Sequence, residues 1–235
     1  MDILENAYSK GKRALSEYES KQVLASYGIP VTREYLAENE SEMLEAAVRI
    51  GYPVVLKGCQ EDLVHKSEKG VIRVDIRNVA EAKTAYLEIC EIMAANSGGG
   101  VLVQQMLKGK RELVAGLIRD PQFGPSVMFG IGGIFTEILD DVVFRIAPIE
   151  RRDALEMMAE IRGHRILEAI RGMPAVDREK LSGILIAIGR LGVENPIIEE
   201  IDINPLIISD GKPVAVDAMI GLADREMRQG ADDGR

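Results

Sequence analysis

Ile197-Ile198-Glu199-Glu200-Ile201-Asp202-Ile203-Asn204-Pro205-Leu206, followed by Asp210-Gly211 and then Val214-Ala215-Val216-Asp217, is the stretch on which the fold turns. The first run alternates. Ile201 and Ile203 point to one face of a strand, and Glu200, Asp202 and Asn204 to the other. Asp-Gly is a tight-turn signal, so two antiparallel strands are expected. With Asp210 and Gly211 as the central pair, Ser209 faces Lys212, and counting back sets Asn204 opposite Asp217. Oxygen ligands from two strands then share a face. That donor set, Asn204, Asp217 and Asp202, suits Mg²⁺ or Mn²⁺ carrying nucleotide phosphates. Taken alone, the alternation also fits the solvated face of an edge hairpin.

Working outward, the order of elements is α+β with mixed sheets. A capping box of Ser16 and Glu19 opens a helix over 16–27, ended by Gly28 and Pro30. A strand over 32–36, a helix over 41–50 and a strand over 54–57 follow. Residues 58–69 read as a polar loop, and 71–76 as the returning strand. Asn78 and Glu81 cap a helix reaching about residue 95, broken by Gly98-Gly99-Gly100. Strands are expected over 101–106, 111–119 and 126–129, with a turn at 120–124. Two strand-like runs follow at 137–139 and 142–147, then helices over 151–161, 165–171 and 178–191. The Gly-rich break near Gly98 divides the chain into halves of similar size.

Bulk properties exclude several classes. The chain has 235 residues, 46% hydrophobic and 29% charged, as in ordinary globular proteins. A net charge of −9 argues against nucleic acid as a main partner. No stretch approaches the ~20 apolar residues of a membrane span, and the N-terminus lacks the pattern of a signal peptide. Cys59 and Cys90 are the only cysteines and lack a metal-type spacing. They read as reduced thiols, which points to the cytoplasm. With no tryptophan and ten methionines, the core must be mostly aliphatic.

Other candidates are weaker singly. Lys57 ends an apolar strand, from which an ammonium can reach a phosphate, or simply water. His65, in His65-Lys66-Ser67-Glu68-Lys69-Gly70, has a ring nucleophilic near neutral pH and could accept a phosphoryl group, or could be an exposed loop residue. Gly130-Ile131-Gly132-Gly133 could bring backbone N–H groups to phosphate oxygens, or form only a tight turn. Gln105 and Met106 end a strand where backbone groups could bind an adenine edge, and Glu112 could accept from ribose hydroxyls.

In this order the pieces resemble the ATP-grasp fold, and more closely the β subunit of ADP-forming acetate–CoA ligase, in the NDP-forming acyl-CoA synthetase family. The matching segments are Gly51-Tyr52-Pro53-Val54-Val55-Leu56-Lys57, His65-Lys66-Ser67-Glu68, Arg119-Asp120-Pro121-Gln122-Phe123-Gly124-Pro125, Met128-Phe129-Gly130-Ile131-Gly132-Gly133-Ile134-Phe135 and Glu200-Ile201-Asp202-Ile203-Asn204-Pro205-Leu206. They span almost the whole chain.

The resemblance implies an N-terminal ATP-grasp subdomain over 1–102, a C-terminal one over 103–222, and a polar tail over 223–235. It implies a nucleotide in a cleft between the two. The implied reaction converts acyl-CoA, ADP and phosphate into free acid, CoA and ATP. A CoA-binding α subunit, in an α₂β₂ assembly, forms an acyl phosphate and takes the phosphoryl group onto its own histidine. His65 matches the β-subunit histidine that carries it to the nucleotide. Lys57 matches the lysine on the nucleotide phosphates, and Asn204 and Asp217 match Mg²⁺ ligands. Lys69 stands where the family loop has glycine, and Gln105 where many relatives have an acid. A direct acyl-phosphate-forming ligase and a non-catalytic nucleotide-binding subunit are the alternative readings.

Overall fold

The structure, a computed structural model, describes residues 3–59, 70–94, 99–133 and 141–224. Contacts group the chain into two compact units, residues 32–107 and residues 1–31 with 108–235. The expected division placed 1–102 together. The first 31 residues instead group with the second half, because their backbone completes its sheet: Leu15 N–H donates to Ile220 O at 2.9 Å, Leu222 N–H to Arg13 O at 2.7 Å and Ala215 N–H to Pro30 O at 2.8 Å.

The unit of residues 32–107 contains β1 (Glu34–Ala37), α3 (Glu40–Ile50), β2 (Val54–Cys59), β3 (Ile72–Ile76), α4 (Val79–Ala94) and β4 (Gly100–Gln105). Its strands form an antiparallel sheet in the order β1-β4-β2-β3. Asn39 caps α3 by accepting from Glu42 N, and Asn78 accepts from Glu81 N at 3.0 Å at the start of α4. Val54 and Leu56 of β2 and Val101 and Val103 of β4 pack with Met43, Ala47, Ala82 and Ile89 of the two helices. Alternation therefore gives the other sheet face Val55 and Lys57 of β2, and Leu102 and Gln104 of β4.

The other unit opens with α1 (Ile3–Ser9) and α2 (Glu17–Ser26). The capping box of Ser16 and Glu19 is formed. After the other unit come β5 (Glu112–Asp120), β6 (Gly124–Ile131), β7 (Val142–Ile146), α5 (Arg151–Glu160), a 3₁₀ turn (His164–Leu167), α6 (Arg178–Glu194), β8 (Ile198–Ser209), β9 (Lys212–Ala215) and β10 (Met219–Leu222). The strands make a six-stranded sheet, order β10-β8-β5-β6-β7, with β9 also paired to β8. Leu113, Ala115 and Leu117 of β5, Val127 and Phe129 of β6, and Ile201 and Ile203 of β8 face Met157, Leu181, Leu185 and Ile188 of α5 and α6. This core is mostly aliphatic, with Met157, Met158 and Phe129 among it, in line with the composition.

The helix expected over 165–171 is replaced by the short 3₁₀ turn and an isolated bridge between Ile170 and Met173. Buried Arg111 accounts for this. Its guanidinium donates to Ile166 O and Glu168 O at 3.1 Å and to Pro174 O at 2.6 Å. Carbonyls held by a guanidinium are not there to build a helix. The run at 137–139 lies outside the described residues.

Candidate functional site

The terminal hairpin forms as its sequence requires. Ser209 pairs with Lys212 and Leu206 with Ala215 across the Asp210-Gly211 turn. Both turn residues have positive φ, 49° and 79°. Further along, Asp202 pairs with Met219 and Ile201 with Ile220. Four residues back along β8 match four forward on the partner side, so one register runs through both ladders. Val216 N–H donates to Pro205 O at 3.1 Å between them. Asn204 is thus level with Asp217.

Ile201 and Ile203 are buried in the core, while Asn204 and Glu200 are exposed and Asp202 half-buried. Across β8, Leu113 pairs with Leu206 but Ala115 with Ile203, so β8 carries a bulge at Asn204-Pro205. A bulge re-aims side chains locally. Gly116 is the cross-strand partner of Asp202. A Cβ there would stand 2.2 Å from Ile201 O, so only glycine fits, and no side chain crowds Asp202 from β5.

Burial raises the Asp202 pKa to about 6, helped by the nearby charges of Glu200 and Asp217. Each of these disfavours the ionised form. Among the described residues no three or more His, Cys, Asp or Glu side chains are gathered closely enough to cage an ion. A Mg²⁺ site of the nucleotide type uses one or two carboxylates together with phosphate oxygens and water. Asp202, Asp217 and the Asn204 amide oxygen are a hard-oxygen set of that kind, and their mutual repulsion is what a cation would relieve. The residues present fit the metal.

Glu112 begins β5, on the strand face that also carries Gly116, and so on the Asp202 face of the sheet. Its carbonyl accepts from Gly132 N–H at 2.8 Å. A Cβ on Gly133, at φ 69°, would stand 2.6 Å from Glu112 Oε2, so the carboxylate lies against the glycine. Of the glycines expected to offer free N–H groups, Gly132 has its N–H bonded to the Glu112 carbonyl. Gly130 and Ile131 belong to β6, and the N–H of Gly132 is bonded within the sheet. A Cβ on Gly130 would meet Asp141 O at 2.5 Å, and one on Gly132 would meet Leu113 O at 2.7 Å. Close backbone packing explains these glycines without a phosphate.

Lys57, Gln105 and Met106 belong to the other unit. Lys57 is not at a strand end: β2 continues through Cys59. At 4% exposed it does not reach bulk water, which removes the snorkelling reading. Gln105 N–H donates to Arg33 O at 2.8 Å, and its Oε1 accepts from Arg33 Nε at 3.2 Å. Its amide N–H is therefore engaged, which takes it from the groups expected to meet an adenine edge. Met106 follows just beyond β4, half-buried. His65 lies outside the described residues.

Residues 6–222 match the family model for the ATP-grasp domain. The chain is 44% identical over 225 residues to acetate–CoA ligase (ADP-forming) I subunit beta of Pyrococcus furiosus, covering 94% of this chain and 97% of that one. The chain belongs to the ATP-grasp family, among the β subunits of ADP-forming acetate–CoA ligases. It is 38% identical to acetate–CoA ligase (ADP-forming) I of Archaeoglobus fulgidus, covering 95% of this chain but 33% of that longer protein. It also matches a structure of Ca. Korarchaeum cryptofilum dinucleotide forming acetyl-coenzyme A synthetase 1, with a TM-score of 0.83 and 43% identity over 94% of this chain and 99% of that one. That protein is in complex with coenzyme A and Mg-AMPPCP, its phosphohistidine segment pointing towards the nucleotide binding site.

Within this ATP-grasp chain, one unit carries Glu112, Asp202, Asn204 and Asp217 on the hairpin sheet, and the other carries Lys57, Gln105 and Met106. Two features escaped the sequence reading. Glu200 was placed on the polar face but not as a charge acting on Asp202. The other is the ion pair of Glu17 and Lys21. The i,i+4 spacing of opposite charges was a visible signal, but it reads as surface helix support, whereas both side chains are buried.

Proposed function

We propose that this chain is the nucleotide-binding β subunit of an ADP-forming acetate–CoA ligase. Its step passes a phosphoryl group between His65 and ADP, within the reaction of acyl-CoA, ADP and phosphate to acid, CoA and ATP. The observation that carries the nucleotide end is the face of Asp202, Asn204 and Asp217, with Asp202 held near pKa 6 by burial and by neighbouring carboxylates. The phosphohistidine segment of the Korarchaeum relative supports the histidine end.

In the ATP-forming direction, the Nε or Nδ bond to phosphorus on His65 breaks and an ADP β-phosphate oxygen bonds to phosphorus. The imidazole recovers its electron pair. Phosphoryl transfer asks for positioning and charge neutralisation more than covalent work by the protein. Mg²⁺, when bound, neutralises phosphate charge. Asp202, Asn204 and Asp217 would hold the ion, Lys57 would supply further positive charge for the phosphates, and Glu112 would accept from ribose hydroxyls. The partner is a CoA-binding α subunit, in an α₂β₂ assembly; a longer relative of which this chain covers a third supports a separate remainder of the enzyme.

The direct-ligase reading needs no histidine. The test is His65→Ala combined with the α subunit. The relay predicts acyl-CoA-dependent ATP formation reduced at least a thousandfold (on the order of the loss of an essential nucleophile), with ADP affinity kept. Turnover that survives would favour direct transfer.

A further inference from the structure

Asp217 sits where its strand partners pause. Its side of the hairpin pairs with β8 through Ala215 and again from Met219, and residues 216–218 lie between the two ladders. Helix α2 supports this gap. Lys21 is 1% exposed, and its Nζ donates to Val216 O at 3.1 Å and to Glu17 Oε1 at 2.8 Å. One residue earlier in α2, Ser20 Oγ accepts from Ile220 N–H at 3.1 Å. Both flanks of Asp217 are therefore tied to adjacent residues of one helix.

Resting on the reading of Asp217 as a metal ligand, we propose that the buried Glu17–Lys21 pair is a positioning device for the Mg²⁺ site. Through the Val216 carbonyl it fixes the backbone from which the Asp217 carboxylate projects.

Stability alone is a poor account of the pair. Burying a lysine and a glutamate carries a desolvation penalty of several kcal/mol per ion, and apolar residues of similar volume often do as well. Geometry is a better account. An ammonium has three donors. One is held by a carboxylate on the same helix, and a second is thereby aimed at a single carbonyl. A leucine or methionine would fill the space without holding Val216. Metal ligands need placement within about 0.5 Å, and groups that orient them typically alter metal affinity 10–100-fold when removed.

The experiment titrates ADP into the full chain with Mg²⁺ or with EDTA, for wild type, E17L/K21M, Lys21→Arg and Asp217→Ala, with melting temperatures measured alongside. The double substitution removes both charges together, leaving no orphaned ion. It is expected to keep the melting temperature and the metal-free ADP affinity, and to weaken the Mg²⁺-dependent affinity about tenfold. Lys21→Arg keeps the charge but changes its reach, so it reports the same loss should the double variant not fold. Equal loss of ADP affinity with and without Mg²⁺ would mean a structural role and overturn the inference. So would unchanged Mg²⁺ dependence in both Lys21 variants beside a weakened Asp217→Ala, an outcome that leaves the metal site standing. An unaffected Asp217→Ala would remove the metal site, and the inference with it.

Discussion

Asp202 is the residue at which fold and function conflict. Its pKa is raised from 3.8 to about 6. In the folded, metal-free protein the ionised form is therefore disfavoured. Below about pH 4 the group is protonated both folded and unfolded, and no penalty exists. As pH rises from about 4 through 6 the penalty develops, and above 6 it is complete, on the order of 1–3 kcal/mol. Asp202→Asn should accordingly raise the stability of the metal-free chain by that amount at pH 7.5. Chemical denaturation should show the gain vanish near pH 4. The same substitution should weaken Mg²⁺-dependent ADP binding. A stabilised variant with undiminished metal dependence would mean that the strain at Asp202 has nothing to do with a cation. Of the groups that produce this, the shared face of Asp202 and Asp217 was legible in the sequence. The burial was not, because it depends on the strands packed around β8.

At the scale of elements, the sequence was most informative where local chemistry and pattern agree. The hairpin register followed from alternation and one Asp-Gly turn, and the start of α2 from Ser16 and Glu19. The bulge at Asn204-Pro205 was hidden, because it exists only relative to β5. The segment after α5 was misread as helix for a comparable reason. Its carbonyls answer to Arg111, more than fifty residues away in sequence. Burial holds the Arg111 pKa below its ordinary value, yet its contacts in this loop are neutral carbonyls. Arg111→Met should leave three carbonyls without their donor and cost about 2–4 kcal/mol. Hydrogen exchange should quicken over residues 164–176 first. Unchanged exchange there would show that the loop holds its own shape. Gly116→Ala is a sharper case. Its Cβ would meet the Ile201 carbonyl, a backbone atom that cannot swing aside. A loss of about 2 kcal/mol or more is expected, read from the denaturation midpoint. A neutral result would mean that β5 and β8 can part beside Asp202.

For the whole molecule, the two units have separate cores, one under the four-stranded sheet and one under the six-stranded sheet. The sequence placed the change of unit near Gly98, whereas it falls between Leu107 and Lys108. The expected division placed the first 31 residues with the first half, whereas their backbone bonds run to strands some 200 residues later. A chain with the nucleotide end of the reaction should bind ADP with Mg²⁺ yet make no acyl-CoA by itself. CoA-dependent turnover by the purified chain would contradict the division of labour between two subunits. The central claim is the histidine relay, and phosphorylation of His65 tests it most directly. After incubation with γ-labelled ATP and Mg²⁺, the wild-type chain should carry an acid-labile, alkali-stable label that ADP removes, and His65→Ala should carry none. Label that persists in His65→Ala, or none in a wild type shown to bind ATP, would contradict the account.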